Sequence, residues 1–140
     1  MTGIKIDGKI IAQTVKDRVK KAADELKTEG INPCLATVLI GNNAASATYV
    51  KNKHKSCEEV GIATKDHKLD ESVTQQELNN IIDELNADVS VHGILVQLPL
   101  PKHLNEFATT SRISPIKDVD GLTPHNAGLL AMKKAALVAC

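Results

Sequence analysis

Leu35-Ala36-Thr37-Val38-Leu39-Ile40 contains a single polar residue, and that residue is a β-branched threonine. Such a run has no side to turn toward water. It suits a strand buried on both faces, as in a parallel sheet covered by helices on either side. Val91-His92-Gly93-Ile94-Leu95-Val96-Gln97-Leu98 is a second run of this kind, closed by Pro99 and Pro101. Ile62 to Leu69 reads as a further core strand with polar interruptions. Lys5 to Ile10 reads as a short N-terminal strand, with Asp7-Gly8 as a turn.

Helical periods fill the intervals. Ile11, Val15, Val19, Ala22 and Leu26 recur at 3–4 spacing, with Gly30 and Pro33 as the stop. Gly41-Asn42-Asn43 turns the chain into a helix that ends at Gly61. Thr74 and Glu77 have the spacing of a capping box, and Leu78, Ile81, Ile82 and Leu85 follow on one face. Asn105 to Arg112 reads as a short helix. Thr123-Pro124 opens the last one, which runs to about Met132, with Thr123 as N-cap. Strands alternating with helices predict an α/β domain: three layers around a mostly parallel sheet. In such sheets ligands bind beyond the carboxyl ends of the strands. Here those ends lead into Gly41-Asn42-Asn43 and Gln97-Leu98-Pro99-Leu100-Pro101, and Asp118-Val119-Asp120-Gly121 is placed to reach the same edge.

A chain of 140 residues is expected to form one domain. Its 17 basic residues balance 17 acidic ones, which gives no reason to expect nucleic acid or an anionic membrane as partner. No apolar run approaches the roughly 18 residues of a membrane span, and no secretory segment follows Met1. Cys34, Cys57 and Cys140 are far apart, lack metal-ligand spacing and read as reduced thiols of a cytosolic protein. His54, His67, His92, His103 and His125 show no metal spacing either. The single Gly41 after the first strand is no glycine-rich phosphate loop, so nothing argues for a dinucleotide site within the chain. Tyr49 and Phe107 are the only aromatic residues, which makes the core aliphatic and the place of Tyr49 informative.

Laid on a helix at about 100° per residue, Ser46 to Val60 puts Val50, Cys57 and Val60 inward and Lys51, Lys55, Glu58 and Glu59 outward. Lys53 breaks the pattern. It falls on the inward side, in one stripe with Ser46 and Tyr49. An unpaired ammonium there costs several kcal/mol unless it lines a cleft. Two readings are open: Lys53 snorkels along its stem to water, or it is desolvated, with its pKa lowered, and serves as a general acid/base. Gln97 ends an apolar strand and needs partners. It either orients Lys53 or binds substrate, or it caps a neighbouring backbone group. Asp118 and Asp120 flank Val119 before Gly121. They are either turn residues or a carboxylate that receives the N–H donors of a heterocycle. The downstream acidic ligand of a calcium loop is missing.

Three motifs occur in order: Tyr49-Val50-x-x-Lys53 with Ser46 before it, Gly93-Ile94-Leu95-Val96-Gln97-Leu98-Pro99-Leu100-Pro101, and Pro115-x-Lys117-Asp118-Val119-Asp120-Gly121. Together they resemble the catalytic N-terminal domain of the bifunctional methylenetetrahydrofolate dehydrogenase/methenyltetrahydrofolate cyclohydrolase family, over nearly the whole chain. The resemblance implies oxidation of 5,10-methylenetetrahydrofolate with NADP or NAD, then hydrolysis of the methenyl product to 10-formyltetrahydrofolate. It places the protein in cytoplasmic one-carbon metabolism and purine biosynthesis. It implies that Lys53 is the catalytic lysine and Gln97 the residue that positions it. Tyr49 stacks on the folate ring system, Asp120 anchors the pterin, and Ser46 supports the lysine. Val96 and Leu98 join Gln97 among the substrate contacts. No metal is implied, because the methenyl carbon is already an activated cation.

On this resemblance residues 1–140 are the catalytic domain, ending near the hinge to an NAD(P)-binding Rossmann domain that the chain lacks. Ala139 stands where the family usually has the first proline of Pro-Cys-Thr-Pro. Hydride transfer by these residues alone is expected to be negligible, while cyclohydrolysis needs no nicotinamide. A homodimer is expected for the full-length protein. A folate-binding or regulatory module without turnover is the alternative.

Overall fold

The computed structural model describes residues 7–137. Within them the elements run α1 Gly8–Thr28, β1 Cys34–Ile40, α2 Ala44–Val60, β2 Ala63–Leu69, α3 Gln75–Ala87, β3 Gly93–Val96, α4 Glu106–Arg112 and α5 Pro124–Ala131. All strand pairs are parallel, in the order β2-β1-β3. The apolar run that leaves no side for water is therefore the central strand.

Register decides which residues share a face. Leu35 pairs with Gly93 and Thr37 with Leu95, so these four look to one side, while Ala36, Val38, Ile94 and Val96 look to the other. The second side carries the main core. There Ala36, Val38, Ile40, Ile94 and Val96 meet Leu78, Ile82 and Leu85 of α3, with Val91, Leu100, Leu104 and Ile113 closing the edges. Leu78 and Ile82 are fully buried, each stabilising the fold by about 1.5–3 kcal/mol relative to exposure. α4 packs on α3. On the first side α2 lies over β1 and β2, and α1 packs on α2. This is the expected three-layer arrangement.

Local chemistry explains the helix ends. The Asn43 side chain accepts the Ser46 N–H at 3.0 Å and so starts α2. Gly61 ends it at φ 78°, the left-handed conformation that glycine adopts without a Cβ penalty. Thr74 and Glu77 form the capping box of α3 in full, and Asn105 and Thr123 cap α4 and α5.

Three expectations are corrected. Gly8 to Ile10 is the first turn of α1, not part of a strand, and Asp7 is its N-cap, accepting from the Lys9 N–H at 2.9 Å. An Asp-Gly pair serves as cap or turn alike, and here the helical period of Ile10 and Ile11 prevails. Lys5 and Ile6 lie outside the described residues, as do Ala139 and Cys140. β2 is an exposed edge strand rather than a core strand, with only His67 and Leu69 half-buried. β3 is shorter than the apolar run and spans Gly93–Val96.

Candidate functional site

Tyr49 and Lys53 of α2 meet the loop residues Val119 and Asp120 at one cavity. About 490 Å³ in volume, it is floored by Leu35, Leu95 and Val119 and rimmed by Tyr49, Asn52, Lys53, Ser56 and Asp120, with Cys57 behind. It lies beside the contact of α2 with β1 and β2, where Val119 and Asp120 approach the helix. Lys53 Nζ lies 5.0 Å from the centroid of the Tyr49 ring, within cation–π range. It lies 3.9 Å from Asp120 Oδ1, the two side chains being 28% and 30% exposed. That separation is beyond a hydrogen bond. A pair with this exposure is worth about 0–1 kcal/mol, a latch that a ligand can open. Lys53 thus neither runs out to bulk water nor sits in an aliphatic shell: a carboxylate and an aromatic face receive it. Tyr49 is 58% exposed, its ring free to take a planar ligand.

Cys57 is no candidate nucleophile. Burial pushes its thiol up from the ordinary value, and the nearby Lys53 charge only partly offsets this. Among the described residues, no three His, Cys, Asp or Glu side chains gather as metal ligands would.

The other predicted site residues lie apart from this cavity. Ser46 is buried in the first turn of α2. Val96 and Leu98 place their side chains in and against the main core, so any contact with a ligand falls to their backbone. No hydrogen bond joins Gln97 to Lys53. Gln97 Nε2 donates to the Leu98 carbonyl at 2.7 Å, while Oε1 is buried and has no partner among the described residues. A buried acceptor of this kind costs about 1–3 kcal/mol.

The two aspartates of the loop have separated roles, which pattern alone left undecided. Asp120 faces the cavity. Asp118 is 1% exposed and accepts from Leu122 N at 3.2 Å, Thr123 N at 2.8 Å and Asn126 Nδ2 at 3.0 Å. Burial alone would push its carboxyl up, but the bonds from Asn126, Thr123 and Leu122 prevail and hold it below the usual carboxylate value.

A family model described as "Tetrahydrofolate dehydrogenase/cyclohydrolase, catalytic domain" matches residues 6–120. The chain belongs to the tetrahydrofolate dehydrogenase/cyclohydrolase family. The bifunctional protein FolD of Nitrosopumilus maritimus is 79% identical over 140 residues, all of this chain and 49% of that protein. The crystal structure of the bifunctional enzyme FolD from Campylobacter jejuni superposes with TM-score 0.92 at 46% identity, covering 94% of this chain and 47% of that one. The Trypanosoma brucei FolD structure, complexed with NADP cofactor and inhibitor, gives 0.90 at 32%, covering 99% and 48%. The chain spans about half the length of the curated relatives it matches.

Two further residues of the family motifs serve the site indirectly, and sequence reasoning missed both. Lys117 Nζ donates to the carbonyls of Leu85, Asn86 and Asp88 at 3.1, 2.9 and 2.8 Å, closing the C-terminal end of α3. Gly93 makes room for the loop: a Cβ there would stand 2.5 Å from Val119 Cγ1. The signals were Lys117 beside two aspartates and a glycine opening an otherwise bulky strand.

Proposed function

We propose that this chain is the folate-processing part of a methylenetetrahydrofolate dehydrogenase/methenyltetrahydrofolate cyclohydrolase, and that its own residues carry the hydrolytic step. The observation that carries this reading is the meeting of Lys53, Tyr49 and Asp120 at one cavity, in a chain that belongs to the family. The pterin's amino and ring N–H groups fit Asp120, and the planar rings fit the open Tyr49 face. When the heterocycle takes Asp120, the weak latch to Lys53 opens. Lys53, in its neutral form, takes a proton from the water that attacks the methenyl carbon and gives it to the departing ring nitrogen as the C–N bond breaks, while the remaining hydroxyl proton leaves to solvent as the formyl C=O forms. The electrophile is already cationic, so a base, a water and orientation suffice.

The hydride step needs a nicotinamide in addition to this site. The turn from β1 into α2 has Gly41 alone, without the glycines that let a backbone approach a pyrophosphate. That turn does not supply a dinucleotide phosphate loop, and NADP or NAD is read as held by a further part of the protein. A cytoplasmic homodimer is the corresponding reading for the longer protein. Among the described residues no helix is long and apolar enough to cross a membrane. Nothing favours the alternative of a binding module without turnover.

The test follows the decay of methenyltetrahydrofolate absorbance at a pH where buffer hydrolysis is slow. The chain should accelerate decay, and Lys53→Ala should remove the acceleration, a loss of roughly 10²-fold or more for a general acid/base. Equal rates for the two proteins would refute the assignment.

A further inference from the structure

His54 follows Lys53 on α2, about 100° further round the helix, and meets β1 and β2. Its Nε2 lies 2.7 Å from Asp66 Oδ1 and 3.2 Å from Thr37 Oγ1. Thr37 Oγ1 donates to the same Asp66 oxygen at 2.7 Å. Thr37 and Asp66 are register partners on β1 and β2, and Thr37 is buried. A carboxylate oxygen only accepts, so Nε2 carries a hydrogen whether the imidazole is neutral or charged. The three side chains therefore tie the middle of α2 to both strands in either state.

The position of this knot along the helix matters. The fully buried residues of α2 are Ser46, Val50 and Val60. Between Val50 and Val60 the helix has no deeply buried apolar anchor, and that interval holds Lys53. The contacts with β1 and β2 at His54 and with the loop at Lys53 are made about 100° apart around the helix. A rotation that loosens one moves the other.

We propose that Thr37, His54 and Asp66 set the rotation of α2 about its axis, and that His54 is a positioning residue that aims Lys53 at Asp120 and the cavity. A turn of about 10° moves a side-chain tip ~6 Å from the axis by ~1 Å. Misplacing a reacting group by that much costs about 10²-fold. The effect on turnover rests on the folate reading above; the effect on the orientation of Lys53 does not.

Two readouts separate these. The first is the rate at which acetic anhydride modifies each lysine of α2 in the intact chain, read by peptide mass spectrometry. His54→Leu keeps the helix but removes the donor, and Asp66→Ala removes the acceptor from the exposed strand. Both are expected to change the rate at Lys53 and leave the exposed Lys51 and Lys55 as in wild type. His54→Gln keeps an N–H donor and is expected to return Lys53 toward the wild-type rate. An unchanged Lys53 overturns the proposal. So does a common change at all three lysines, which would mean a frayed helix, or a Gln variant no better than Leu. The second readout is methenyltetrahydrofolate hydrolysis well below the melting temperature. His54→Leu is expected to lower kcat roughly 10- to 100-fold with little change in KM. If Lys53→Ala leaves hydrolysis untouched, the folate reading fails, and the labelling still decides whether the knot aims the lysine.

Discussion

Asp118→Ala is expected to destabilise the chain strongly although residue 118 does not line the cavity. The magnitude follows from its three donors. Leu122 is half exposed, and water can replace its long bond. Asn126 Nδ2 keeps the Pro115 carbonyl at 2.9 Å as a second partner. Thr123 is 1% exposed, and its N–H would be orphaned. One orphaned buried donor costs about 1–3 kcal/mol, and a lost bond to a charged group about 1.5–3 kcal/mol. Removing the buried charge itself recovers part of this, leaving a net loss of about 2–4 kcal/mol. At an m value of roughly 1–3 kcal/mol per molar, urea unfolding should then shift down by about 0.7–4 M. The pH dependence gives a second handle. The carboxyl is held below its ordinary value in the fold. Its stabilisation is therefore fully present above the unfolded-state pKa, about 3.9, and is lost as pH falls through the folded value. The gap between wild type and Asp118→Ala should be full at pH 7 and shrink in acid below about pH 4. A gap under about 1 kcal/mol at pH 7, or one that widens on acidification, would refute the reasoning.

Gly93→Ala places a Cβ 2.5 Å from Val119 Cγ1 and 3.4 Å from Leu35 Cδ1. Val119 is branched at Cβ and cannot swing clear, so the loop must shift, at a cost of about 1–3 kcal/mol. Calorimetry with a folate analogue should show weaker binding because Asp120 moves with Val119, and unchanged affinity would contradict this coupling. Lys117→Met keeps the stem but frees the carbonyls of Leu85, Asn86 and Asp88. It should cost about 1–2 kcal/mol and speed amide exchange in the last turn of α3. Exchange there at the wild-type rate would rule out the capping role.

What the sequence reveals depends on how far a residue's role is set by its near neighbours. β1 was legible because an unbroken apolar run admits one environment. Lys53 was legible because a cation on the inward stripe of an amphipathic helix demands a partner or a cleft. β2 was misread because an edge strand needs side chains suited to water, and Thr64, Asp66 and Lys68 look like interruptions until the strand order is known. Asp118 and Asp120 are two residues apart in one loop, and only the position of α5 shows which is buried. Gln97 shows the same limit. A strand-end amide looks the same in sequence whether it holds a lysine or, as here, its own neighbour's carbonyl.

The loop from Pro115 to Gly121 shows why the cavity's polar groups are available at all. Lys117 is committed to the carbonyls of α3 and Asp118 to the start of α5. Val119 rests on Gly93. With the loop held at three consecutive residues, Asp120 has no structural bond to make. Among the described residues it has only the 3.9 Å ion pair with Lys53. Lys53 is likewise spared, because the fastening of α2 at this level falls to His54. A folded chain satisfies nearly all its buried polar groups, and binding sites are the exception, where a few convergent groups are left for a ligand. Here, among the described residues, the Asp120 carboxylate and the Lys53 ammonium have only each other across 3.9 Å, while Lys117 and Asp118 are committed to the structure. That contrast separates Asp120 from Asp118 and Lys53 from Lys117, pairs that composition and spacing alone do not distinguish.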